Sequence, residues 1–379
     1  MAHSVEIPKV MKALVALGVR FCEADTIVHL LNTSLHKQDG KVAVQDHPVP
    51  QVGDDDVLVK VVAVAQNPTD HKFIDSGRAK PGTVSGCDFS GHIVQIGPAA
   101  AAAHPDLRVG AQVAGFVMGG TFADYGAFAE YVRTPASLVW PVPEGTFSHE
   151  EAATMGCAFW TAVQALFHPT RLALVEPPEK TTKDEWLYVH GGSSAVGQFA
   201  VQLGALSGYK VATTASPRNF ELLRTLGASA VFDYRDTDAA AKLKAATGDN
   251  IRAALDTIGT RDAQALSTAV IAPGGGKVVH IINILPDVTD RTDVERIYTL
   301  LYWALGRAFS FGPNADHPVR PEDRAHMEHF LKKVPGLVKA GQIRPLPIKY
   351  IEGGLAAIPE GFQYMREGKV SAEKIVYRI

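Results

Sequence analysis

A chain of 379 residues is long enough for two domains, each with its own core. Apolar residues make up 46% and charged residues 20%, and a net charge of -3 leaves no basic footprint for nucleic acid or polybasic patch for a membrane. Three cysteines, Cys22, Cys87 and Cys157, supply neither a disulfide framework nor a CxxC pair for structural zinc.

Near the N-terminus the apolar run over 13–18 is too short for a signal core or a spanning helix. A cytoplasmic enzyme or binding protein is the expectation. Up to about residue 150, "DDVLVKVVAVAQ", "FSGHIVQIG" and "AQVAGFVM" are β-branched runs bounded by Gly, Pro and Asp, and predict a barrel-like β domain. "GPAAAAAHP", over 97–105, reads as a surface loop tip. The stretch "SHEEAATMGCAFWTAVQALF" predicts a helix capped at Ser148, with Glu150 and Glu151 in its first turn and apolar spacing through Trp160, Val163 and Leu166.

Strands and helices then alternate. Strands are predicted over 186–190, 210–214, 230–233, 251–256 and 277–285. Helices are predicted over 196–206, 220–226, 239–246 and 263–271. Such alternation means a parallel sheet covered on both faces. The last segment, "PLPIKYIEGGLAAIPEGFQYMREGKVSAEKIVYRI", returns to strand–helix–strand and is expected to rejoin the first domain.

Within "WLYVHGGSSAVGQFAVQLGALSGYKVATTASPRNF", 186–220, a strand meets a glycine-serine turn and then a helix. Glycines in such a turn let a pyrophosphate approach backbone N–H groups at the helix start. Gly191, Gly192 and Gly197 are present, with Ser193 and Ser194 between them; a serine hydroxyl there can donate to a phosphate. The next strand ends in "TTASPRNF", without the acid that holds an NAD ribose. Ser216 and Asn219 are neutral donors, and Arg218 can meet a 2′-phosphate. The alternative is that Ser216 and Pro217 merely begin a helix while Arg218 is solvated. The missing acid favours NADPH.

Six ordered motifs, "VAQNPTDHKFIDSG", "GCDFSGHIVQIG", "AATMGCAFWTAVQAL", "VHGGSSAVGQFAVQLG", "LGASAVFDYRD" and "VSAEKIVYRI", resemble the medium-chain dehydrogenases/reductases over nearly the whole chain. The likeness is greatest to the zinc-free quinone- and enoyl-reductase branch, in particular the trans-acting enoyl reductases of fungal polyketide synthases. It implies an α/β fold, a GroES-like β-barrel catalytic domain plus a Rossmann doubly wound parallel sheet. The expected division is 1–165, 166–315 for the Rossmann domain, and 316–379 returning to the catalytic domain.

By the same resemblance Thr69, Asp70, His71, Lys72 and Thr161 line the nicotinamide ribose, with Ile281 and Ile282 also on the cofactor. Ser193, Ser194, Ala195 and Val196 meet the pyrophosphate. Ser216, Pro217, Arg218, Asn219 and Tyr234 meet the adenosine phosphate end, and Val370 and Ser371 close over it. Zinc-dependent members take catalytic ligands from positions that are Asn67, Cys87 and Cys157 here. Asparagine is a poor zinc ligand, so no metal is expected. The two sulfurs should nevertheless converge beside the nicotinamide.

A zinc-free NADPH site suits hydride delivery to an activated C=C bond. Lys72 either donates a proton or only grips the cofactor; Thr161 can hydrogen-bond the nicotinamide end, and solvent can supply the proton. Substrate lining is expected from Thr161, Ala162, Val163, Gln164, Ala165, Leu166, Phe167 and His168, and from Phe309 and Phe311 in the apolar run 297–312, which could equally be core. The expected substrate is an enone or acyl thioester, with a polyketide synthase acyl carrier as partner and a monomer favoured over a homodimer. Two alternatives stay open: a general quinone or alkenal reductase, and a non-catalytic NADPH-binding protein.

Overall fold

The computed structural model describes residues 6–17, 41–312 and 314–379; Cys22 and residue 18, at the end of the N-terminal apolar run, lie outside them. A mixed sheet organises the first part of the chain. Its strands run in the order Ile348–Tyr350, Lys374–Arg378, Asp56–Ala65, Asp88–Ile96, Gln112–Phe116 and Val139–Pro141, with Tyr131–Pro135 also paired to Asp56–Ala65. Two of these strands come from the C-terminal segment. Lys374–Arg378 lies antiparallel to Asp56–Ala65, pairing Val376 with Ala65, so the chain returns to its first sheet as expected. Val10–Ala16 and Val42–Pro48 form a separate antiparallel ribbon.

Between them stands a six-stranded parallel sheet in the order Ala228–Asp233, Lys210–Ala215, Trp186–His190, Ile251–Asp256, Gly276–His280, Val294–Tyr298. The order reverses between Trp186–His190 and Ile251–Asp256. A crevice opens at such a reversal, outside the carboxyl ends of the strands, because the flanking helices leave to opposite faces. Fold class and the α/β alternation are therefore as read from the sequence.

Three local readings are corrected. The alanine run is a helix, Pro98–Ala103, with Ala100 buried. Alanine has the highest helix propensity, and proline fits a first helical turn that needs no N–H. The strand predicted over 277–285 stops at His280. The helix predicted from Ser148 is two helices, His149–Ala153 and Cys157–Phe167. Ser148 does cap the first, its hydroxyl accepting from Glu151 N–H while the Glu151 carboxylate accepts from Ser148 N–H. The break at Gly156 has a tertiary cause. Asp88 Oδ1 accepts from Cys157 N–H at 2.6 Å, and a Cβ on Gly156 would meet that same oxygen at 2.3 Å.

Candidate active site

The glycine turn follows from steric need. Gly191 has φ 76°, and a Cβ there would meet Ile258 at 2.6 Å. A Cβ on Gly197 would meet the Gly191 carbonyl oxygen at 2.3 Å, so the helix Ala195–Leu206 can sit against the turn only without one. Ser194 caps that helix: its hydroxyl accepts from Gly197 N–H at 2.9 Å and donates to Thr257 Oγ1 at 2.8 Å. The hydroxyl of Ser194 is thus directed to Thr257, and the residue lines the cleft described next. The first-turn N–H groups of Ala195 and Val196 have no carbonyl within the helix to bond. These, with the helix dipole, are the anion-binding element.

A cleft of about 890 Å³ runs from this turn. It brings together Gly191, Ser193, Ser194, Ala195, Ser216, Asn219 and Tyr234 with Val370, Ser371 and Lys374 from the C-terminal segment. Ser216 directly follows the strand Lys210–Ala215, at the place where an acid would hold a ribose. Tyr234 is half exposed, so a ring face is open for stacking. Arg235, beside it in the cleft, is held by Asp233 through two bonds of 2.9 and 2.7 Å. Arg218 and Pro217 are exposed, and Arg218 makes no ion pair among the described residues. His190, Ile258, Thr260 and Arg235 also line the cleft and were not expected from the sequence.

At the other end Pro68–Asp75 forms a short helix with Asn67 as its cap. Asp70 Oδ2 accepts from Asn67 N–H at 2.7 Å. Burial pushes the Asp70 carboxyl up to about 7, against the partial relief of that N–H. Cys87 is buried, and burial first of all pushes its thiol far up, while Cys157 packs against the same core. Burial also raises the Cys157 thiol, with Asp88 adding to the rise. Both stay protonated and poorly nucleophilic.

Lys374 completes this cluster. It is buried, its ammonium lies 3.0 Å from Asp88 Oδ2, and it donates to Asn67 Oδ1. No local signal announces this, since the charged residue at the other end of the same strand, Arg378, is exposed. Lys72 is exposed between the buried His71 and Phe73, while His71 Nδ1 lies 3.0 Å from Asp75 Oδ2. Thr161 is nearly buried and donates to the Cys157 carbonyl at 2.7 Å. Ile281 is half-buried and Ile282 exposed, just past the strand end at His280.

Most of the expected substrate helix does other work. Ala162, Val163, Ala165, Leu166 and Phe167 are buried in the large core where Cys157–Phe167 packs on Ala195–Leu206. Gln164 donates to Asp323 Oδ1 at 2.7 Å and accepts from Thr299 at 2.8 Å, and His168 Nδ1 accepts from Thr170 N–H at 3.2 Å. These seven residues are corrected from substrate lining to core and buried polar network. The reason is that this helix is covered on several faces, so its apolar spacing marks packing. Phe309 and Phe311 join a ring cluster with Phe73, Phe116 and Tyr302, the Phe73–Phe311 centroids lying 5.5 Å apart.

Residues 53–144 match the alcohol dehydrogenase GroES-like domain, and residues 195–294 match the zinc-binding dehydrogenase domain. The trans-enoyl reductase ACTTS2 of Alternaria alternata is 37% identical over 346 residues, 90% of this chain and 97% of its own. The trans-enoyl reductase caaB of Aspergillus niger is 36% identical, covering 88% and 93%. Among solved structures, the CurK enoyl reductase superposes with a TM-score of 0.70 at 21% identity, over 98% of this chain and 99% of that one. An alcohol dehydrogenase superfamily protein from Novosphingobium aromaticivorans gives 0.75 at 21% identity, over the same shares of the two chains. The chain belongs to the trans-enoyl reductase family of medium-chain oxidoreductases, which use a nicotinamide cofactor.

Proposed function

We propose that this protein is a cytoplasmic, NADPH-dependent, zinc-free reductase of an activated C=C bond, acting in trans on an enoyl thioester carried by a polyketide synthase. One observation carries the zinc-free part: the ammonium of Lys374 bonds the Asn67 carbonyl oxygen, at a position that supplies a ligand in zinc-dependent relatives. A cation already sits on the would-be donor. This donor set does not suit Zn²⁺, which binds thiolates and neutral imidazoles.

NADPH is supported by the neutral Ser216 and Asn219 in the cleft and by the uncommitted guanidinium of Arg218 beside them. The cofactor supplies a hydride when bound. Ala195 and Val196 N–H groups hold its pyrophosphate, Tyr234 stacks at the adenine end, and Val370 and Ser371 cover it. The free N–H groups and the dipole at the start of the helix Ala195–Leu206 favour a polyanion in the cleft. Lys72, exposed on its helix, grips the cofactor, and Thr161 bounds the nicotinamide end. The catalytic part is assigned to 1–165 and 316–379 and the cofactor part to 166–315.

The deciding assay is a substrate panel under NADPH: an enoyl thioester, a short quinone and an alkenal. Reduction of the thioester is expected. Turnover confined to quinone or alkenal transfers the protein to the general reductases, and cofactor binding with no turnover makes it non-catalytic. NADPH should be preferred over NADH by at least about tenfold, since one charge-assisted contact contributes roughly 1.5–3 kcal/mol. Arg218→Ala should lose part of that preference; equal efficiency with both cofactors in the parent rules the assignment out. Elemental analysis should find well under one zinc per chain, with activity surviving a chelator.

A further inference from the structure

The ring cluster packs in one core with Cys87 and Cys157 and carries a hydroxyl, that of Tyr302. Tyr302 sits in the short 3-10 turn Leu301–Leu305 and is 6% exposed. Its ring stacks on Phe116 at 5.9 Å and 22°, and meets Phe309 and Phe311 edge-on at 5.9 Å each. A phenylalanine would fill that space equally well. The tyrosine hydroxyl instead meets Thr69 Oγ1, at the start of the helix Pro68–Asp75. Burying a hydroxyl among rings is unfavourable unless it is bonded, so a buried phenol marks a place where a polar partner is wanted.

Position narrows the partner. Burial is the main cause that holds this phenol well above its ordinary range, and Thr69, which the hydroxyl meets, lines one small hollow with Asp70 and Cys87. The hydroxyl therefore lies at the edge of the hollow that Thr69 and Cys87 line. We propose that Tyr302 is the hydrogen-bond donor for the acyl carbonyl oxygen, and for the enolate oxygen that develops as the C=C bond is reduced.

This rests on the reading of the protein as a reductase of activated C=C bonds. The hydride pair bonds to the β carbon, and the C=C π pair moves through the α carbon so that the carbonyl oxygen becomes an enolate. A proton from solvent then bonds to the α carbon and the carbonyl re-forms. Tyr302 keeps its proton throughout. A phenol that is so weak an acid is suited to donate a hydrogen bond without giving up the proton. The substrate oxygen replaces Thr69 as its partner, and Thr69 is a positioning residue that holds the hydroxyl in line beforehand.

The test measures two things on the full chain with Y302F. The kcat for an enoyl thioester should fall about 10²–10³-fold, the loss typical for one oxyanion donor, with the Kd for NADPH unchanged. Binding of 4-nitrophenolate, an enolate mimic followed by its absorbance in the presence of NADP⁺, should weaken about tenfold. Phenolate binding equal to the parent's, or kcat within about threefold of it, overturns the proposal. If Y302F does not fold, 3-fluorotyrosine at position 302 keeps the ring and strengthens the donor. Phenolate should then bind tighter, and unchanged affinity overturns the proposal. Failure of the parent to reduce any activated alkene refutes the reductase reading separately, because the phenolate measurement needs no turnover.

Discussion

Asp88→Ala should lower stability by about 3–5 kcal/mol, measured by denaturant unfolding, because it leaves the Lys374 ammonium buried without its counter-ion. A second loss accompanies it: Cys157 N–H, which starts the helix Cys157–Phe167, loses its acceptor at 2.6 Å. Unfolding should show the pair's interdependence. Lys374→Met alone leaves a buried carboxylate and is also strongly destabilising. Asp88→Asn combined with Lys374→Met removes both charges and, set against the Asp88→Asn and Lys374→Met single variants, should restore much of the loss, giving a coupling of at least about 1 kcal/mol. Strict additivity of the two single changes would show that the ion pair does not act as a unit. The combined variant should also bind NADPH more weakly, since Lys374 lines the cleft.

Asp70→Asn should raise stability at pH 8 by up to about 4 kcal/mol and flatten its pH dependence. Burial raises the folded-state carboxyl from 3.8 to about 7, so the folded protein holds a proton that the unfolded chain releases. The stabilising contribution is complete below about pH 4. It is lost as pH rises to about 7, above which the folded state carries a buried carboxylate. An asparagine keeps an oxygen to accept the Asn67 N–H that caps the Pro68–Asp75 helix and carries no charge to desolvate. The decisive measurement is unfolding free energy from pH 4 to 8 for both proteins. Parallel curves would mean that Asp70 titrates in its ordinary range.

The strand–turn–helix array from Trp186 to His280 was legible almost residue by residue, with Ile251–Asp256 read to both ends. Periodicity and the glycine turn are local signals, and a parallel sheet buried on both faces writes them strongly. The absence of an acid after Ala215 is equally local, and the proposal of NADPH starts from it. The return of the last strand to the first sheet followed from its apolar pattern.

What only the tertiary structure decided depends on residues far apart in the chain. Nothing near Gly156 announces that the helix must break there; the cause is the carboxylate of Asp88. The meeting of the Ser194 hydroxyl with Thr257 is likewise set by a residue 63 positions on. The residues from Ala162 to His168 share one apolar pattern with any pocket-lining helix, and only the packing of Ala195–Leu206 and Asp323 around them shows that they are core. Lys374 becomes part of the site because its strand pairs with Asp56–Ala65 and carries it to Asn67 and Asp88. Sequence pattern reports the environment of a residue's own element. The partner that satisfies a buried charge or hydroxyl is chosen by topology, which places distant segments side by side.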